Sequence, residues 1–278
     1  MSKDLKCDFE KLRDWRIDGE YPPSDELFRC IMKLSEEAAL LHSTYHHYTR
    51  LAAIPCIFKN SGAFLRLTRL SSARLNDHNE CDKFAGKDEA TNTYVGCFNH
   101  DGSESANLWW LYARGSCRSV RITFPAEQFT AWMDVVRKKV ALCTDVVYAA
   151  VRCKKECYSQ ERQNVLCWSD CRIKVKDLPN FLRKKYVAGR MKDYEWRSEN
   201  ETRIIVKESG GDQYQYIPIP DVIIPKLRIT LSPWASDDDY EAIKGKVTSC
   251  LAPFGWRPTA KNFRKSVLTG AMDVLRKR

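Results

Sequence analysis

No run in the 278-residue chain approaches eighteen consecutive apolar residues, so no segment has the length and apolarity of a membrane-spanning helix. The opening residues, MSKDLKCDFEKLRDW, lack the apolar stretch of a secretory signal. The twelve cysteines are scattered through a chain far too long for a disulfide-stapled miniprotein. Together these two absences point to a reducing cytoplasm. A phosphate-cradling GxxxxGK(S/T), a GxGxxG after a strand and an HExxH are also missing, which removes the commoner nucleotide-hydrolase, dinucleotide-fold and zinc-protease classes. There is neither an internal repeat nor a low-complexity linker. Histidine is scarce: of five in all, two stand side by side in Tyr45-His46-His47-Tyr48-Thr49-Arg50.

What is present is enough hydrophobic residue (44%) to bury a substantial core, and a formal charge of +10, which attracts nucleic acids, dinucleotides or an acidic surface. The excess is uneven. From Arg257 onward seven basic residues face Asp273 alone, a pattern that fits a solvated face of a terminal helix or a phosphate-binding segment. The segment from Arg152 to Arg190 mixes Lys and Arg with Trp168, Phe181 and Tyr186, as single-strand nucleic-acid binders do and as a helix covering a core also does.

Along the chain, Pro22-Pro23-Ser24 starts a helix in which Leu27, Ile31, Leu34, Ala38 and Leu41 recur at helical spacing. A short helix around Ile54-Pro55-Cys56-Ile57 ends at Asn60-Ser61-Gly62. Strand patterns follow at 63–68, 93–98, 119–124, 146–151 and 202–206, with helical spacing at 108–113 and 129–142. Ser209-Gly210-Gly211-Asp212 reads as a hairpin turn between 204–207 and 214–219. Many short strands without regular βα alternation predict an α+β fold rather than a doubly wound sheet. The expected organisation is one domain: a helical extension over 1–44, a core over 45–235 and a basic helical segment over 236–278.

Four thiols, Cys153-x3-Cys157-x9-Cys167-x3-Cys171, form two close pairs that can hold a structural zinc tetrahedrally. The same pairs on a helix can equally be small buried apolar side chains.

Four pieces occur in a telling order: His47-Tyr48-Thr49, Leu75-Asn76-Asp77 with Glu80, Trp109 to Ala113 with Gly115, and Trp196 with Glu199, Glu201 and Arg203. Spanning roughly 45 to 235, they resemble a bacterial family catalogued as domain of unknown function 2971. Trp110 departs from the small or polar residue common there, and Arg114-Gly115-Ser116-Cys117 from the usual His-Lys-Gly. A wider resemblance is to ADP-ribosyltransferases of the His-Tyr-Glu type, with a histidine on the first strand, a tyrosine in the middle and a glutamate opening a late strand.

That resemblance implies a split ADP-ribosyltransferase-like β core and NAD as substrate. Glu201 becomes the catalytic carboxylate, Glu199 the acceptor-positioning group, and His47, Tyr48, Thr49, Tyr112 and Asn76 the NAD-binding residues. It also implies transfer of ADP-ribose to a macromolecule, or NAD hydrolysis, as a toxin or phage-defence effector. The chemistry fits, because breaking the nicotinamide–ribose bond builds positive charge on the sugar and a fixed carboxylate opposes it. An imidazole can bind a ribose hydroxyl, and an aromatic ring can stack on nicotinamide. Strand alternation would put Glu199, Glu201 and Arg203 on one face. Duller roles stand beside these: a core histidine at 47, core packing at Tyr112, a solvent-facing ion-pair ladder at 199–203 and an Asx turn at Asn76-Asp77. Two other functions stay open, a non-enzymatic basic module binding nucleic acid and a metal-dependent nuclease built on Asp77, Glu80 and Glu201.

Overall fold

Helix α1 (Ser24–Ala38) forms where the apolar spacing expects it, and its last turns bury Ile31, Met32 and Leu34. In this computed structural model the described residues are 24–72, 80, 85, 87–113, 116–140, 142–153, 164–168, 171–174 and 187–269. The fold is mixed α+β, as the pattern of short strands requires. The chain forms two compact units, each made of three stretches. The first is Met1–Leu41, Thr68–Val95 and Ala141–Tyr214; the second is His42–Leu67, Gly96–Val140 and Gln215–Arg278. The divisions fall inside strands and loops, not at the expected 44/45 and 235/236 boundaries.

In the second unit, Tyr45-His46-His47-Tyr48-Thr49-Arg50 lies on β1 (Thr44–Arg50). The short proline helix α2 (Ile54–Ile57) leads to β2 (Phe58–Lys59), which pairs with β3 (Gly62–Arg69). His46 of β1 lies opposite Asn99 of β4 (Thr93–Asn99). After α4 (Ala106–Ala113), β5 (Ser119–Pro125) runs antiparallel to β1 over its whole length, from Thr44 opposite Pro125 to Arg50 opposite Ser119. Helix α5 (Ala126–Val136) packs an aromatic core: Tyr45 stacks on Phe129 at 3.7 Å, and Phe98, Phe124 and Trp132 close around them. Rings this large carry much of the apolar area removed from water, each worth roughly 1.5–3 kcal/mol or more.

In the first unit, β6 (Leu142–Asp145) pairs with β11 (Glu201–Lys207), which also pairs with β4. The helix expected over 129–142 therefore ends early, at Val136, and Leu142 already belongs to a strand. Helix α3 (Lys87–Thr91) precedes β4. A second sheet holds β7 (Val147–Cys153), β8 (Asn164–Trp168) and β9 (Cys171–Lys174), with β10 (Met191–Asp193) parallel to β7. The basic segment from 152 to 190 thus contains strands where it is described.

The turn at 209–212 does not make a hairpin. β11 pairs with β4 and β6, whereas β12 (Tyr214–Ile219) pairs with β3. The intervening loop is tied down by side chains: Arg69 donates to the carbonyls of Gly211 and Asp212, and the Tyr94 hydroxyl donates to Asp212 at 2.7 Å. Glycine at 210, with φ +72°, gives the loop its turn while leaving its carbonyls free for that capture. The chain closes with β13 (Arg228–Leu231), α6 (Asp237–Leu251) and β14 (Phe263–Arg264); α6 opens with a Ser236–Asp239 capping box. In the basic C-terminal segment, α6 ends at Leu251, a 3-10 turn follows over Ala252–Phe254, and Thr269, the last described residue, is again helical. There Arg257 donates to Ala252 and Trp256, and Lys265 pairs with Asp237.

The Arg69 clamp predicts a graded loss of stability in urea denaturation. Tyr94→Phe should cost about 1 kcal/mol and Arg69→Ala about 2–3 kcal/mol, because the latter removes hydrogen bonds from a charged donor.

Candidate functional site

In the first unit, a glycine sets up a closed charge network. Gly189 has φ +78°, and an added Cβ would lie 3.1 Å from Val95 and 3.3 Å from Ile205, so the position admits little else. Its carbonyl accepts from Arg203 Nη1 at 3.1 Å. Arg203 is fully buried and reaches two carboxylates besides: Nε and Nη2 each lie 3.0 Å from Glu201, and Nη1 and Nη2 fork onto Glu80. Five N–H groups and five hydrogen bonds leave this guanidinium fully used.

Lys192 of β10 completes the network. Its ammonium bonds Glu199 and lies 3.4 Å from Glu201, with the Trp196 ring 4.9 Å away. Glu80, Lys192, Glu199, Glu201 and Arg203 are all buried, at 3% exposure or less. The solvent-facing ladder considered for 199–203 is therefore not what forms. Nor does strand alternation bring the two glutamates together. Glu199 ends a 3-10 turn (Tyr194–Glu199), Asn200 takes a left-handed φ of 41°, and β11 starts only at Glu201. Asparagine tolerates that conformation better than most residues, so the kink folds Glu199 back onto the lysine that Glu201 also meets.

The electrostatics follow the geometry. Burial alone would lower the Lys192 pKa, but Glu201 and Glu199 outweigh it against opposition from Arg203, and the ammonium is held above its ordinary range. Burial pushes the Glu80 carboxyl up while Arg203 draws it back. Burial and then the charges of Glu201 and Glu199 raise Tyr148, which stays a neutral phenol and accepts the Glu201 backbone N–H at 3.0 Å. The site is thus three buried carboxylates, two of them at the head of a strand, held by two cations.

The other expected site residues fall in the second unit or outside the described residues. His47 donates from Nδ1 to the Cys97 carbonyl at 3.1 Å, which leaves Nε2 as an acceptor; burial lowers its pKa, so the ring is neutral. It lies on the α5 side of β1, 5.7 Å from Phe98. Tyr48 points the other way, edge-on to Trp109 at 4.9 Å, and Tyr112 packs against that cluster. His47 and Tyr112 therefore serve opposite faces of β1 and do not meet. Thr49, next along the strand, is half-buried on the His47 side. Asn76, Asp77 and Cys157 lie outside the described residues. Cys153, Cys167 and Cys171 sit on β7, β8 and β9, with Cys167 opposite Ala150 and Cys171 opposite Trp168, so the helical alternative for the pairs does not apply to them.

Lys192, Tyr148 and Arg121 escaped the sequence reading. Lys192 belongs to no motif, and its only signal is a tryptophan four residues on. Arg121 sits in Ser119-Val120-Arg121-Ile122-Thr123-Phe124, which reads as a strand with one wet face, yet Arg121 is only 2% exposed.

No family model matches the chain, no curated protein matches it and no solved structure matches it.

Two predictions follow from these charges. Lys192→Met leaves Glu199 and Glu201 buried beside one remaining cation, and should cost about 3–5 kcal/mol in chemical denaturation. Adding Glu199→Gln should restore part of that loss. In the second unit, His46 is buried with Nδ1 2.9 Å from Thr123 and Nε2 3.1 Å from Thr44. Burial first, then Arg121 and Arg228, lowers its pKa from 6.5 to about 3. The unfolded chain then binds this proton below pH 6.5 while the folded one refuses it, so stability should fall on acidification from 6.5 toward 3, by a few kcal/mol (on the order of). His46→Gln should flatten that acid limb in thermal melts taken across the pH range.

Proposed function

We propose that the protein is an NAD-dependent ADP-ribosyltransferase-like enzyme, acting as an NAD glycohydrolase when no acceptor is bound. The observation that carries this reading is the glutamate pair at the head of β11, where Lys192 touches both Glu199 and Glu201 and Arg203 forks onto Glu201. Cations so placed keep both groups as carboxylates, the form the chemistry requires.

In the reaction, the bond from ribose C1′ to the nicotinamide nitrogen breaks and its electron pair goes to that nitrogen, which neutralises the pyridinium. Positive charge develops on the ribose, and the Glu201 carboxylate opposes it. Glu199 orients the incoming nucleophile and takes its proton as the new bond to C1′ forms. The acceptor is a macromolecule, or water in hydrolysis. The reading rests on Glu199 and Glu201 and asks nothing of His47 and Tyr112, which lie on opposite faces of β1. A nuclease built on Glu80 and Glu201 is less well supported, since the cation between those carboxylates is the Arg203 guanidinium.

Incubation with NAD labelled in the nicotinamide ring, with and without cell extract, tests the proposal. The wild type should release nicotinamide, and Glu201→Gln should slow release by about a hundredfold or more while keeping its circular dichroism spectrum. Absence of release by the folded wild type in both conditions would contradict it.

A further inference from the structure

The second unit holds another buried cation, and its hydrogen-bonding capacity is not filled. β5 carries Ser119, Arg121 and Thr123 on the face opposite its apolar Val120, Ile122 and Phe124. Arg121 lies between Tyr48 of β1 and Thr230 of β13, and Thr230 is in turn opposite Arg264 of β14. One pair along, Thr123 lies between His46 and Arg228. Period-two alternation sets Arg121, Arg228 and Arg264 on one face of three neighbouring strands.

Arg121 is the inner member. Its Nη2 is 3.6 Å from Glu104, longer than a hydrogen bond, and its Nε and Nη1 are buried with no hydrogen-bond partner. The Tyr48 ring lies 5.9 Å from the guanidinium carbon. Glu104 is moreover shared: it accepts from the Ser266 hydroxyl, from the Trp109 indole at 3.3 Å and from the Val267 backbone N–H at 3.3 Å. Arg228 and Arg264 are exposed, and neither has a carboxylate partner among the described residues. The crowding acts on the group itself, because burial and then Arg264 and Arg121 lower the Arg228 pKa. Three guanidiniums thus share one strand face, and the carboxylate paired with Arg121 also accepts from three neutral donors.

A buried polar group without a hydrogen-bond partner calls for a reason, and Arg121 has two such nitrogens. Guanidinium matches phosphate in shape and charge better than any other side chain. We propose that this face binds a phosphate group, with Arg228 and Arg264 at its open mouth and Arg121 supplying fixed charge beneath. A free nucleotide and a nucleic-acid strand share that chemistry. The site is independent of the Glu201 reading, so a Glu201→Gln protein should bind as the wild type does.

Calorimetric titration of the full chain with inorganic pyrophosphate, and separately with a short single-stranded oligonucleotide, tests the site. Binding of at least one probe is expected, together with a rise in melting temperature. Arg228→Gln/Arg264→Gln changes two exposed side chains, should melt like the wild type in the absence of ligand, and should weaken binding at least tenfold. If the strand is the ligand, the slope of log affinity against log salt should fall by about one for each arginine removed. Pyrophosphate binding without strand binding identifies a small nucleotide as the ligand. Arg121→Met, which keeps the bulk and drops the charge, should lose the affinity too; if it does not fold, the Arg228/Arg264 protein decides. Failure of both probes to bind, or affinity unchanged in the double variant, would overturn the proposal.

Discussion

Arg203 is the interaction on which the first unit depends. Its guanidinium joins Glu80, Glu201 and the Gly189 carbonyl, and so ties a residue after β3, the start of β11 and the turn before β10 to one buried point. A buried cation of this kind is tolerated only if every N–H is met and the charge is answered, and both conditions hold here. The demand reaches outward. It fixes glycine at 189, because a side chain would strike Val95 and Ile205. It also recruits Lys192, since Glu201 arrives with Glu199 beside it and two carboxylates need more than one cation.

The two units treat charge in opposite ways. Around Arg203 the guanidinium's N–H groups are all engaged, and the buried carboxylates outnumber the cations that hold them. Around Arg121 the carboxylate is shared and the cations are in excess, so that face suits an anion from outside. The imidazole of His46 registers this excess, kept neutral by burial and by Arg121 and Arg228. A chain with formal charge +10 thus concentrates part of its surplus on one strand face and does not spread it evenly over solvent-exposed surface.

Much of the local structure was legible in the residues themselves. Period-two alternation marked β3, β4, β5 and β11, and Pro55 marked the short α2, because side-chain direction and proline geometry are local properties. The hairpin at 209–212 was not legible: its glycines signal a turn, but strand pairing was decided by Arg69 and Tyr94, far away in the chain, capturing the loop carbonyls. For the same reason Glu199 and Glu201 could be singled out while Lys192 could not. Two glutamates two residues apart are visible in one window, whereas the lysine that answers them is placed by β10 and a positive φ at Asn200. The expectation that His47 and Tyr112 converge failed on alternation itself, since Tyr48 takes the α4 side of β1 and leaves His47 the other.

The most direct test of the network is the protonation state of Lys192, read by heteronuclear NMR of its side-chain Cε and Nζ as pH is raised. An ordinary lysine is half deprotonated near pH 10.5. The account predicts that Lys192 is still an ammonium there, with slowly exchanging protons, while exposed lysines have titrated. A Lys192 that titrates with the exposed lysines, or that is already neutral below them, would contradict the closed carboxylate network from which the rest is argued.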